Sequence, residues 1–170
     1  MIFEFSAHHQ IFIAHQERLR YSFAMSLIEN DRASFDYELL EKMEAGLELH
    51  GYEVKSLRAK HGSLKGARVG VRGGEAYLIG ASIPAWQKAN APKNYDPERS
   101  RRLLLKKNEI VQLASAEAKD GLTVVPLSLY SKGRNLKLSI AIARGKKKAD
   151  KRHDIRAREE KRRIERAMKD

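Results

Sequence analysis

The chain has 170 residues, 42% of them apolar, and a formal net charge of +12, with a pI near 10.0. This is enough for one domain with one core plus extensions, and the charge points to a polyanion, nucleic acid or an anionic surface, over acidic small molecules. There is no cysteine, which excludes a disulfide framework, a thiolate metal site and a thiol nucleophile and fits a reducing cytosol.

The longest apolar runs fall far short of the roughly 18 residues of a spanning helix. The opening MIFEFSAHHQ lacks the basic region and the unbroken apolar stretch of a signal peptide. A soluble, cytoplasmic protein without membrane contact is expected. Residues 1–24 are poor in charge and rich in Phe, His and Ile, unlike anything after them. They read either as a small extra element packed on the domain or as a dispensable extension ahead of a working start at Met25.

Tyr37, Leu40 and Met43 stand at i, i+3 and i+6, as on a helix, yet the segment 37–45 is short enough for a strand. Leu47, Leu49, Tyr52 and Val54 then alternate as a strand up to Lys55-Ser-Leu-Arg58, with Gly51 as a bulge or sharp bend. Val69 and Val71 lead through Gly73-Gly74 into Ala76-Tyr77-Leu78-Ile79, a hairpin signal. Asp96 as N-cap and Pro97 at the first helical position predict a helix from residue 98 to about residue 118, stopped by Gly121. On it Leu103, Ile110 and Leu113 share a face, and Arg99, Arg101 and Arg102 crowd the first turns.

Residues 122–130 read as another strand, with Pro126 marking an edge or a bulge. Leu136, Leu138, Ile140 and Ile142 alternate with Lys137, Ser139 and Ala141, the pattern of a half-buried strand. Five or six short, mainly antiparallel strands and one good helix describe a small closed or partly open β-barrel, in which closure removes the exposed edges. The expected fold class is therefore mainly β.

Catalytic signatures are missing. Gly70-Val-Arg-Gly-Gly74 lacks the Lys-Ser/Thr of a phosphate loop and reads as a turn, and Gly145-Lys146-Lys147 has no upstream glycine at the required spacing. The histidines, His8, His9, His15, His50, His61 and His153, are scattered and form no zinc-ligand pair on a helix. No nucleophile elbow is present, and Glu41 and Glu44 carry no mark of a poised acid and base. No catalytic residue, metal site or cofactor is expected.

The cations carry more information. Arg99, Arg101 and Arg102, joined by Lys55, Arg58, Lys60 and Lys65 on strand ends, form an expected RNA-facing patch. The last 27 residues, 144–170, hold 13 Lys/Arg against 6 Asp/Glu, a net of +7. Ile155, Ile164 and Met168 are their only sizeable apolar side chains, too few to bury a helix face. Glu159–Arg163 and Glu165–Lys169 pairs at i, i+4 are worth a few tenths of a kcal/mol each, so an isolated helix is marginal. The tail is expected to be largely disordered in the free protein and helical against phosphate. Three units result: an extension 1–24, a barrel 25–143 and a basic tail 144–170.

Several segments then occur in a recognisable order. They are Glu44-Ala-Gly46, Glu53-Val-Lys-Ser-Leu-Arg58, Gly74-Glu-Ala76, Asp96-Pro-x-Arg-x-Arg-Arg-Leu-Leu-Leu105, Gly121-Leu-Thr-Val-Val-Pro-Leu-x-Leu-Tyr130 and Gly145-Lys-Lys-x-x-Asp-Lys-Arg152. With this series the chain, from about Asn30 onward, resembles the SmpB family, the SsrA-binding proteins of bacterial trans-translation. The resemblance implies an OB-like small antiparallel β-barrel with short helices that binds the tRNA-like domain of tmRNA and enters the empty A site of a stalled ribosome. It implies that segment 37–45 is a strand. It also implies that Asn30, Glu44 and Leu104 lie on the tmRNA-binding side, with Arg99, Arg101 and Arg102 as phosphate contacts. Gly145, Lys146, Lys147, Asp150, Lys151 and Arg152 would begin a tail that reaches the small-subunit decoding centre and lies in the vacant mRNA channel. The expected partners are tmRNA and the ribosome, with the protein as a monomer. At Ala149 the family often has an aromatic or His placed to stack on ribosomal RNA; alanine cannot stack, leaving His153 or phosphate contacts to compensate. A general ribosomal-RNA-binding or ribosome assembly protein of the same barrel class is the alternative.

Overall fold

The computed structural model describes residues 25–87, 89, 91–147, 150, 156, 159, 160, 163 and 164. The extension 1–24 and the tail positions Lys151, Arg152, Ala149 and His153 lie outside them. Along the described chain run β1 (Met25–Glu29), α1 (Ala33–Asp36), β2 (Tyr37–Leu47), α2 (Gly51–Arg58), β3 (Arg68–Arg72), β4 (Glu75–Ile79), β5 (Arg101–Leu104), α3 (Lys107–Glu117), β6 (Leu122–Lys132) and β7 (Asn135–Gly145).

The strands form one sheet in the order β1-β6-β3-β4-β5-β2-β7, and β6 also pairs with β7, so the sheet returns on itself. Every pairing is antiparallel. The 11-residue β6 makes closure possible. Val124 near its start pairs with Val69 of β3, its later residues Ser128 to Ser131 pair with β1, and β7 runs along it from Leu122 to Lys132. The mainly β, antiparallel architecture with short helices agrees with the sequence expectation. Segment 37–45, ambiguous by spacing, is strand.

The β3–β4 turn is the predicted Gly73-Gly74 pair, with φ of 58° and 78°, the two positive angles that a type I′ hairpin requires. Pro126 sits at a register shift between β6 and β7, so the bulge is observed. The edge is not, because β6 has neighbours on both sides. β7 was expected to be half buried; instead both faces are covered. Leu136, Leu138 and Ile140 enter the main core, while Ala143 packs with Val125 and Ala33 of α1 in a second small cluster. Small side chains on that face let α1 come close.

Two segments differ from the sequence reading. Residues 51–58 are helix α2, not the end of a strand. Their buried residues Glu53, Ser56 and Leu57 stand at i, i+3 and i+4, a helical face that is mostly polar and therefore invisible to an apolar pattern. Residues 101–104 are strand β5, not helix. Asp96 caps a turn, its Oδ1 accepting the Glu98 N–H at 2.8 Å. The helix α3 begins at Lys107, where Glu109 Oε2 accepts the N-cap Lys106 N–H at 2.7 Å, half of a capping box. β5 alternates buried Arg101 and Leu103 with exposed Arg102 and Leu104, and the inward arginine hides its period of two.

Candidate nucleic-acid interface

The two misread segments meet in one buried cluster. Glu53 of α2 and Arg101 of β5 are both 0% exposed and pair at 3.0 Å. Arg101 commits every N–H it has: Nε to Glu53 Oε1 at 3.0 Å, Nη1 to the carbonyls of Ala81 and Arg99, and Nη2 to the Tyr95 hydroxyl and the Pro97 carbonyl. Glu53 in turn accepts from Arg99 Nε and Nη2, at 3.0 and 2.6 Å, and from the His50 N–H at 2.7 Å. The Tyr95 hydroxyl lies 2.9 Å from Glu53 Oε1 and 2.7 Å from the Ile83 carbonyl. Burial alone would push the Glu53 carboxyl up. The Arg99 hydrogen bond, the His50 N–H, the Arg101 charge and Tyr95 outweigh it, and the group is held below its usual value.

This corrects the expected role of Arg101. With no exposure and all five donors used, it cannot reach a phosphate; it fastens the long segment between β4 and β5 to α2. Arg99 is 28% exposed and spent mainly on the same carboxylate. Only Arg102 of the trio faces outward, 48% exposed, its Nη2 2.6 Å from Glu75 Oε1.

Arg102 lines an open groove of about 1020 Å³ together with Glu44, Leu104, Lys106, Lys107 and Lys137. Register explains the grouping: Gly46 of β2 faces Leu104 of β5, so Glu44 and Arg102 lie on either side of that pair. A Cβ at Gly46 would stand 3.1 Å from Leu104 Cβ, and the bare backbone there lets Leu104 lie across β2 while 55% exposed. Glu44 is bonded by the Tyr130 hydroxyl at 2.5 Å and by Lys132 Nζ at 3.0 Å, with Lys137 Nζ at 3.6 Å. Partial burial raises the Glu44 carboxyl, but those donors and charges prevail and leave it below its usual value. Glu44 is thus a fixed anion that orients Lys137 of the groove wall and the exposed Lys132.

Asn30 is a clamp. Its Nδ2 donates to the Pro126 carbonyl at 2.9 Å and its backbone N–H to the Leu127 carbonyl at 2.8 Å, which holds the end of β1 on the β6 bulge. Lys55 and Arg58 are exposed on α2 rather than on strand ends, and Arg58 Nη2 reaches the Arg134 carbonyl at 3.2 Å. The sequence reading overlooked an aromatic group beside them: His61 stacks on Trp86, His50 on Tyr52, and Tyr52 meets Tyr95 edge-on. Its residues are spread from 50 to 95, so no local motif announces it.

The tail is rooted on the barrel. Gly145 pairs with Tyr37, the Lys146 N–H donates to the Asp36 carbonyl at 3.0 Å and Lys146 Nζ to the Ser34 carbonyl at 2.9 Å. Asp150 Oδ2 accepts the Lys147 N–H at 3.2 Å, as a residue at the third position of a helix does for its cap. The described positions from Asp150 onward have helical backbone, and the ion pair described there is Arg163–Glu160 at 2.8 Å, not Glu159–Arg163.

A closed antiparallel barrel with a mixed-charge groove on one strand pair and a basic extension leaving its last strand defines a small basic barrel protein. The family model "SmpB protein" matches residues 27–170. A relative named SsrA-binding protein from Thermosynechococcus vestitus is 48% identical over 143 residues, covering 84% of this chain and 94% of that one. The SsrA-binding protein of Alkalilimnicola ehrlichii is 49% identical over 140 residues, with 82% and 88% covered. A solved structure described as "tmRNA-SmpB: a journey to the center of the bacterial ribosome" contains a chain that superposes with a TM-score of 0.60 at 43% identity, covering 71% of this chain and 85% of that one. The chain belongs to the SmpB family of SsrA-binding proteins.

Proposed function

We propose that this chain binds tmRNA through its barrel and serves trans-translation, delivering the tRNA-like domain to the A site of stalled ribosomes and laying its basic tail in the decoding centre and the empty mRNA channel. The observation that carries this is the family match over residues 27–170, which takes in barrel and tail together. The groove of Glu44, Arg102 and Leu104 supports it, since it joins residues of two strands that the sequence resemblance assigned separately to the RNA side. In this reading Arg102, Lys55 and Arg58 meet phosphate, Leu104 offers an apolar contact, and Glu44 and Asn30 shape the surface. Arg99 and Arg101 hold its frame.

The protein acts by binding and positioning, in the cytoplasm, as a monomer on the RNA and without cofactor or metal. Among the described residues no helix is long and apolar enough to cross a membrane. The units are a barrel, 25–143, for RNA and a tail, 144–170, for the ribosome. mRNA and tail cannot share the channel, so a tail that settles only where mRNA is absent reports a stalled ribosome. The test is reconstituted translation of an mRNA without a stop codon, with tmRNA supplied. Adding the chain should append the tmRNA-encoded tag to the nascent peptide; no tag above the level without the chain would reject the function.

A further inference from the structure

Trp86 is the chain's only tryptophan and stands 39% exposed, in the segment between β4 and β5. Its indole stacks on His61, itself exposed, with ring centroids 5.6 Å apart and planes inclined by 24°. Burial does not account for this pair, because a large aromatic left in water forgoes much of the stabilisation that its area could supply. A shallow pocket of about 250 Å³ adjoins it, lined by Gly51, Tyr52, Lys55, Trp86 and Gln87. Lys55 is exposed at this pocket, and nothing lies within 4 Å of where a Gly51 Cβ would be. The site is therefore open, apolar on one wall and cationic on another.

The platform is held in place from below. The Trp86 backbone N–H donates to the Tyr52 carbonyl at 3.3 Å, Tyr52 meets Tyr95 edge-on with centroids 5.0 Å apart, and the Tyr95 hydroxyl belongs to the Glu53–Arg101 cluster. The buried ion pair is thus linked, through Tyr95 and Tyr52, to the backbone that carries the exposed ring.

An exposed, pre-positioned aromatic face with a cation beside it matches an unstacked nucleobase and its phosphate. We propose that Trp86, backed by His61 and flanked by Lys55, is a stacking platform for an unpaired base of the bound RNA, separate from the Glu44–Arg102–Leu104 groove. This rests on the proposed function, because the RNA is taken to be tmRNA. The platform contributes affinity that is insensitive to salt, since stacking releases no counterions.

The lone tryptophan supplies the test. Intrinsic fluorescence of the full chain is titrated with the tRNA-like domain of tmRNA, and anisotropy of the labelled RNA is followed in parallel. Trp86 emission should change with the same midpoint as the anisotropy. Trp86→Leu, which keeps an apolar side chain of useful size, should weaken binding by roughly five- to a hundredfold with an unchanged salt slope, and Trp86→Phe should recover most of it. Lys55→Ala should instead lower the salt slope by about 1. RNA binding that leaves Trp86 emission unaltered, with Trp86→Leu equal to wild type, would overturn the platform and leave the proposed function standing. No RNA binding by the wild-type chain would remove both.

Discussion

Glu53 on α2 and Arg101 on β5, 48 residues apart in sequence, form a fully buried ion pair that joins the barrel wall to the helix beside it. Removing one partner of such a pair strands the other charge in a low-dielectric interior, at a cost of about 3–5 kcal/mol. Glu53→Gln should therefore lower the urea midpoint of unfolding sharply, since Arg99 and Arg101 both lose their anion. A loss under about 1 kcal/mol would mean that solvent reaches the cluster.

The same carboxylate makes stability depend on acid. Glu53 and Glu44 both titrate below the usual 4.5 in the folded state. A depressed folded value means that the native state binds its proton less readily than the unfolded chain. The contribution is fully present above about pH 4.5 and is lost as pH falls through the lower folded values. Urea midpoints of wild type and Glu53→Gln should converge on descending through that window. A constant gap down to about pH 3 would rule out Glu53 as the source.

Asn30→Ala tests the clamp on the β6 bulge. The Pro126 carbonyl would lose its side-chain donor, and leaving such a group unpaired costs about 1–3 kcal/mol. Thermal unfolding and amide exchange in β1 should both report the loss, with β1 exchanging first. Unchanged protection of β1 would show that the backbone bond to Leu127 suffices.

Arg102→Ala separates surface from frame. Its partner Glu75 is 37% exposed, so the pair is worth at most about 1 kcal/mol to folding. RNA affinity should fall and the salt slope should drop by about 1, as expected for one lost phosphate contact. A normal salt slope would place the RNA elsewhere on the barrel.

In the tail, Lys151→Ala with Arg152→Ala should leave tmRNA affinity unaltered and depress tagging in the reconstituted system. Lys146→Ala acts differently, because it removes the Nζ bond to the Ser34 carbonyl while the backbone bond to the Asp36 carbonyl remains. It should disturb where the tail leaves β7. Equal loss of RNA binding and tagging in the Lys151/Arg152 variant would contradict the division between barrel and tail.

The sequence was most legible where apolar periodicity and glycine turns coincide, at the Gly73-Gly74 hairpin and along β7. It was least legible at Glu53 and Arg101. Each is a polar residue in a core position, so α2 looked like the end of a strand and β5 like the first turn of a helix. The pairing that satisfies them spans distant segments and leaves no local trace. The same distance hid the aromatic platform, whose members His61 and Trp86 look unremarkable singly. Glu44, Arg102 and Leu104 were individually readable, but their meeting in one groove follows from the β2–β5 register, which no single segment encodes.

The most direct measurement is binding to the tRNA-like domain of tmRNA against a length-matched structured RNA, at low and near-physiological salt, for the full chain and for one ending at Arg144. Binding by phosphate alone falls steeply with salt and ignores RNA identity. Preference for tmRNA that survives both higher salt and loss of the tail is the predicted result and makes the barrel the specific reader. Preference that vanishes with salt, or belongs wholly to the tail, would contradict the account and leave a general basic RNA binder.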